Sequence, residues 1–237
     1  MRSKDKQSKS AVSAVPEKAK QGTETLRRDW GWVEASIWTE RMLAALENGV
    51  KGGKWFSLID KVIRPETLAI AWRKVLQNTG GPGIDGQSVA KFEIGAGKYL
   101  GELEKALKTG EYRPLAVKRV EIPKGGGKLR PLGIPAVKDR IVQTALKLVI
   151  EPIFEHEFLD SSYGFRPGRG CKDALREVDG LIREGYTHVV DADLMSYFDT
   201  IPHNRLMDLV SERISDGRVL DLIQGYLGQD IVQGLSR

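Results

Sequence analysis

Apolar side chains recur at helical spacing over most of the chain and alternate at strand spacing in only a few short stretches. Residues 32–48 (WVEASIWTERMLAALEN) predict a helix that the glycine-rich 49–53 ends. Pro65 suits the first position of another helix, with Leu68, Trp72, Val75 and Leu76 on one face and Gly80 and Gly81 stopping it. Leu100, Leu103 and Leu107 repeat at helical spacing, and Glu104 stands four residues before Lys108, the favourable order for a helical ion pair. Residues 117–122 and 129–134 then read as strands, and 123–128 (PKGGGK) as the glycine-rich tip of a hairpin between them. A long helix follows through Ile141, Val142, Ala145, Leu146, Val149, Ile150, Ile153 and Phe154, with a kink expected at Pro152. Leu175, Val178, Leu181 and Ile182 predict a further helix, residues 187–193 a strand and 204–214 a last helix. This order argues for an α/β or α+β domain, and no internal repeat is visible.

Composition adds little to the fold and more to the partner. The 237 residues are 41% hydrophobic and 29% charged, enough to close a core without staples. A single cysteine, Cys171, rules out an internal disulfide and a multi-cysteine zinc site, and His156, His188 and His203 have no ligand spacing. The lone thiol fits a reducing, cytoplasmic setting. No apolar run reaches the roughly 18 residues of a membrane helix, so no membrane partner is expected. The net charge is +5, but it is uneven. Arg113, Lys118, Arg119, Lys124, Lys128, Arg130, Lys138 and Arg140 crowd one segment against only Glu121 and Asp139. A stretch of that density suits a polyanion, although charge alone is better explained by a solvated basic surface. Residues 1–29, rich in Lys, Ser and Glu and without an aromatic side chain, read as a disordered basic tail.

Several short motifs fail on context. Residues 81–86 (GPGIDG) match G-x-G-x-x-G in letters only, because a helix precedes them and Pro82 makes a turn. The Gly-Lys clusters lack the spacer and hydroxyl of a phosphate-binding P-loop, and no G-x-S-x-G is present. One pattern survives. In residues 188–194 (HVVDADL), an apolar strand ends in acids, and alternation puts Asp191 and Asp193 on one face. Carboxylates at a strand end are expensive to bury unless something positive is bound, and hard oxygen ligands suit Mg²⁺. Taken alone, the pair is better explained by arginine partners or by capping a helix.

Four blocks in order give that pattern its context. Residues 80–86 (GGPGIDG), 119–143 (RVEIPKGGGKLRPLGIPAVKDRIVQ), 162–175 (SYGFRPGRGCKDAL) and 190–203 (VDADLMSYFDTIPH) resemble the N-terminal, fingers, fingers-to-palm and first palm motifs of reverse transcriptases encoded by group II introns. The resemblance covers roughly residues 65–210. It implies an α+β right-hand polymerase fold, divided as a 30–64 helical extension, 65–160 fingers with a basic hairpin and 161–237 partial palm. It implies template-directed nucleotidyl transfer with two Mg²⁺ ions, an intron maturase role, and RNA template, intron RNA, DNA primer and dNTP as partners.

Roles carry over by position. Asp193, five residues before Phe198, matches the first catalytic carboxylate and metal ligand, and the Leu194 backbone carbonyl a further ligand. Phe198 matches the aromatic under the sugar C2′, which excludes a hydroxyl by volume. Lys124 and Arg130 match the triphosphate clamp, and Ile134 a position near the templating base pair. Arg166 and Arg169 resemble template-contacting residues, and Arg113, Lys118, Arg119, Lys138 and Arg140 a diffuse phosphate-neutralising surface. The family's second palm motif, an aromatic-Ala-Asp-Asp turn, has no counterpart, since the sequence contains no adjacent Asp pair. The expectation is a fragment of fingers and front palm, inactive alone, with the 187–193 strand left open at one edge. Two other readings share the same basic face: a non-catalytic RNA-binding module, and a defence-associated reverse transcriptase of the CRISPR or retron type.

Overall fold

A computed structural model describes residues 30–233 of the protein. The basic tail expected at 1–29 lies outside the described residues. The first helix, α1 (Glu40–Asn48), starts later than the spacing from residue 32 predicts. Thr39 accepts a hydrogen bond from the Met42 N–H and so takes the N-cap, while residues 30–38 run as turns that bury Trp30, Ile37 and Trp38. Gly49, at φ +81°, ends the helix as expected.

The body is helical. Helix α2 (Ile59–Ile63) leads into α3 (Pro65–Asn78), which carries Pro65 at its first turn and buries Leu68, Trp72 and Val75. Helices α4 (Val89–Ile94) and α5 (Ala96–Thr109) follow, and Phe92 packs at a tilt between Trp72 and Tyr99 with centroids 4.7 and 5.0 Å away. The Glu104–Lys108 pair on α5 forms. The spine is α6 (Val137–Glu155), packed chiefly against α3, with Val137, Ile141, Val142, Ala145, Val149 and Ile153 almost without exposure. Each large apolar side chain buried there is worth about 1.5–3 kcal/mol.

The expected effect of Pro152 is local, and α6 continues through it to Glu155. Proline has no N–H to give the carbonyl of Leu148. The Trp38 indole N–H, 3.2 Å away, fills that place and ties the 30–38 segment to the spine.

The hairpin is longer than its sequence signal. Strands β1 (Val117–Gly125) and β2 (Lys128–Ile134) pair from Lys118↔Ile134 to Gly125↔Lys128. Only Gly126 and Gly127, both at positive φ, form the turn, as a two-residue hairpin loop of the primed type needs. A third strand, β3 (Ile231–Gln233), adds in parallel to the other edge of β1, a pairing nothing in the local sequence announces.

Beyond α6 the chain carries α7 (Cys171–Arg183), α8 (Tyr197–Thr200), α9 (His203–Arg213) and α10 (Gly217–Leu227). The apolar stripe of α7 forms as expected, but Leu175, Val178, Leu181 and Ile182 are exposed. The strand expected at 187–193 is not formed. Those residues are coil with Val189 and Val190 open to solvent, and among the described residues no neighbouring strand takes up their backbone groups. Asp216 caps α10 and also accepts the Leu58 and Ile59 N–H groups at 2.7 and 2.8 Å, so one carboxylate anchors the starts of two helices.

A buried polar knot joins the hairpin root to the body. The Tyr112 hydroxyl donates to Asp139 Oδ1 at 2.6 Å and lies 2.8 Å from the Tyr226 hydroxyl, while the Leu115 N–H donates to Asp139 Oδ2 at 2.9 Å. Burial pushes the Asp139 carboxyl above its ordinary range, against the opposing pull of the Tyr112 and Leu115 hydrogen bonds. Burial also raises both tyrosines. An acid raised in the folded state adds stability below its unfolded pKa and loses that contribution as pH rises through the folded pKa. Relative to Asp139→Asn, the wild-type protein is therefore expected to lose stability as pH rises from about 4 and then to level off. Urea unfolding of both proteins across that range checks the sign, and an advantage that grows with pH contradicts it.

Candidate nucleotide and nucleic-acid interface

Directly opposed residues of an antiparallel pair share a face, and faces alternate along each strand. The register therefore puts Lys118, Val120 and Ile122 with Ile134, Leu132 and Arg130 on one side of the hairpin. Arg119, Glu121 and Pro123 share the other side with Gly133, Pro131 and Leu129. Lys124 is the extra residue where the register slips between Pro123 and Gly125, so a bulge sets its aim independently of the ladder. Lys124, Lys128 and Arg130 are exposed, and among the described residues none of them, nor Lys118, is in an ion pair. Their one acidic neighbour on the strands, Glu121, belongs to the opposite face and accepts from the Gln233 amide at 3.4 Å. Unneutralised cations around a glycine turn make a place for an anion with several charges. Lys128 belongs to this group although the family pattern did not single it out. Its signal was available in its place at the tip.

The other basic residues divide by what already holds them. The Arg113 guanidinium donates to the Gly110 and Tyr112 carbonyls at 2.8 and 2.7 Å. Arg119 is half-buried with its Nε–H lacking a partner. Lys138 lines a groove with Tyr99, Glu102 and Glu111. Arg140 donates to the Thr79 and Gly81 carbonyls at 3.0 and 2.8 Å. Arg166 is buried, with Nε and Nη2 on the Glu155 carboxylate, Nη1 on the Leu159 and Ser162 carbonyls and the Phe158 ring 5.3 Å away. Its donors are thus engaged on the protein itself. Arg169 pairs with Asp160 at 2.6 Å and lies over the Tyr163 ring.

Asp191, Asp193, Leu194 and Phe198 stand on the exposed 187–200 stretch, where Phe198 packs edge-on against Tyr197 with centroids 5.5 Å apart. Ser196, at φ +51°, turns the chain between the acids and α8. No hydrogen bond, ion pair or ring contact joins this stretch to the hairpin among the described residues. Among the described residues, no three Asp, Glu, His or Cys side chains gather as a metal-holding group. The oxygen donors among the described residues do not by themselves make a two-metal site.

No helix among the described residues is long and apolar enough to cross a membrane. Residues 122–234 match the family described as reverse transcriptase (RNA-dependent DNA polymerase). The chain is 44% identical over 172 residues to protein YkfC of Escherichia coli (strain K12), covering 70% of this chain and 45% of that protein. It is 33% identical over 171 residues to the group II intron-encoded protein LtrA of Lactococcus lactis subsp. cremoris, covering 70% and 28%. It is 32% identical over 183 residues to an uncharacterized 91 kDa protein in the cob intron of Schizosaccharomyces pombe, covering 72% and 22%. The chain spans less than half the length of each of these relatives.

Proposed function

The chain belongs to the reverse transcriptases of the group II intron type, and from that premise we propose that it supplies the fingers and the front of the palm of an intron-encoded RNA-directed DNA polymerase with a maturase role. In this reading residues 30–64 are the helical extension, 65–160 the fingers and 161–237 part of the palm. The hairpin grips the dNTP triphosphate, with Arg130 as a planar fork and Lys124 as a mobile point charge, over a glycine turn at 126–127 that bends toward the nucleotide. Asp193 and the Leu194 carbonyl contribute oxygen ligands toward Mg²⁺, and Phe198 takes the volume a ribose 2′-hydroxyl needs. Ile134, at the hairpin root, packs beside the templating pair. Lys118, with Arg119 and Lys138, adds to a surface for RNA phosphates, whereas Arg113, Arg140, Arg166 and Arg169 are left out because protein carbonyls and carboxylates already occupy them.

The observation that carries this reading is the cluster of exposed, unpaired cations around the glycine tip of the hairpin. Template-directed incorporation by the full-length gene product tests it. Lys124→Ala and Arg130→Ala are each expected to raise KM for dNTP roughly 10–100-fold, the loss of a charge-assisted phosphate contact, with RNA affinity changed less than about threefold. An unchanged KM in both variants removes the triphosphate grip.

A further inference from the structure

The 79–86 turn (TGGPGIDG) is bound to the hairpin root by two independent contacts. The first is a backbone seat. A Cβ on Gly83 would lie 2.5 and 2.6 Å from the Ala136 Cα and N and 2.9 Å from the Pro135 carbonyl carbon, closer than side chains come to backbone. Only glycine lets the turn rest there. Pro135 and Ala136 are the whole link between Ile134, the last residue of β2, and the start of α6. The second contact is a clasp. Arg140, in the first turns of α6, holds the Thr79 and Gly81 carbonyls through its two terminal nitrogens. Thr79 and Gly80 both have positive φ there, and a Cβ on Gly80 would approach Arg140 Nη1 to 2.9 Å. The turn is further closed by the Asp85 side chain, which accepts from the Gln87 N–H, and by the Gly86 N–H on the Gly83 carbonyl.

Past Ile134 the hairpin is flanked by β3, which pairs with β1 as far as Arg119, and residues 123–131 are exposed. At about 3.3 Å per residue, Arg130 lies roughly 13 Å and Lys128 roughly 20 Å from this root. A tilt of about 10° at the root therefore displaces the cations by roughly 2–3.5 Å, enough to take a donor out of hydrogen-bond reach of a phosphate oxygen. We propose that the 79–86 turn is a positioning element for nucleotide addition: Gly83, seated on the Pro135–Ala136 backbone, and Arg140, clasping the turn, together set the aim of the basic hairpin at the incoming triphosphate. This rests on the reading of Lys124 and Arg130 as the triphosphate grip. It assigns Arg140 a role through the hairpin, distinct from contact with RNA.

Two measurements test it separately. In the 237-residue chain, amide hydrogen exchange compares Gly83→Ala, Arg140→Gln and Arg140→Lys with the wild type, and Gly97→Ala, whose Cβ meets nothing within 4 Å, serves as control. Faster exchange is expected in β1 and β2 for Gly83→Ala and Arg140→Gln, with the buried amides of α6 between Val142 and Val149 unchanged, and partial recovery in Arg140→Lys. In the full-length gene product, the same two variants raise KM for dNTP about tenfold or more with kcat and RNA affinity little changed, as displaced binding groups should. Hairpin exchange unaltered in both Gly83→Ala and Arg140→Gln overturns the proposal, as does an unaltered KM in an active enzyme whose KM does respond to Lys124→Ala and Arg130→Ala. If Gly83→Ala fails to fold, the Arg140 pair decides alone. If hairpin exchange responds while wild-type incorporation is independent of Lys124 and Arg130, the positioning stands and the triphosphate reading falls.

Discussion

Asp193→Ala is expected to lower RNA-templated incorporation by the full-length gene product at least about a thousandfold, with RNA affinity within about twofold of wild type. Nucleotidyl transfer offers a protein little covalent work, so nearly all catalysis comes from positioning and from balancing charge at the reacting phosphates. On the proposed reading, removing the Asp193 carboxylate takes away part of that charge balance. Asp199 lies inside α8, beyond Phe198, and Asp191 lies outside the five-residue spacing to Phe198 that singles out Asp193. Asp191→Ala is accordingly expected to cost less than about tenfold. The comparison is clean because both acids are exposed, so neither substitution removes packing. Primer extension and filter binding on the same preparations give the two readouts. Equal losses in both variants, or full activity in Asp193→Ala, would remove Asp193 from its assigned place.

What could be read from the residues alone follows from the range of the interactions involved. Pro65 opening α3, Gly49 ending α1 and glycines turning the 126–127 loop are decided within a few residues, and each was visible. The start of α1 was not, because Trp30, Ile37 and Trp38 are apolar for tertiary reasons: they cover the spine, and Trp38 answers a carbonyl 110 residues away. The β1–β3 pairing and the Tyr112–Asp139–Tyr226 knot likewise join distant positions, and no periodicity encodes them. The 187–193 stretch shows the converse. Its sequence favours a strand, yet extension without a partner leaves its backbone groups to solvent, and coil results.

The same limit applied to the site. Cationic residues were easy to find, but sequence does not say which guanidinium is already engaged. Lys124 and Arg130 remain exposed, whereas Arg140 and Arg166, indistinguishable from them by composition, hold carbonyls and a carboxylate. Gly83 was noticed only as part of a turn. The close approach of the Pro135–Ala136 backbone is what makes a glycine necessary there.

Arg166 gives the largest structural effect expected in the molecule. Its guanidinium forms a two-pronged pair with Glu155 at the end of α6 and closes the following loop by holding the Leu159 and Ser162 carbonyls. The two side chains are only 5% and 11% exposed. Removing one partner of a buried pair leaves the other charged and desolvated, which costs about 3–5 kcal/mol. Arg166→Met is therefore expected to open the 156–170 segment, raising cleavage after Arg169 by trypsin about a hundredfold in the regime where opening is faster than cutting. Lysine keeps the charge but not the fork, so Arg166→Lys should recover only part of the protection. Arg166→Met combined with Glu155→Leu should recover more, since an apolar pair leaves no stranded charge. Protection unchanged in Arg166→Met would show that the loop is held elsewhere, and that Arg166 is free to leave Glu155 for an RNA phosphate.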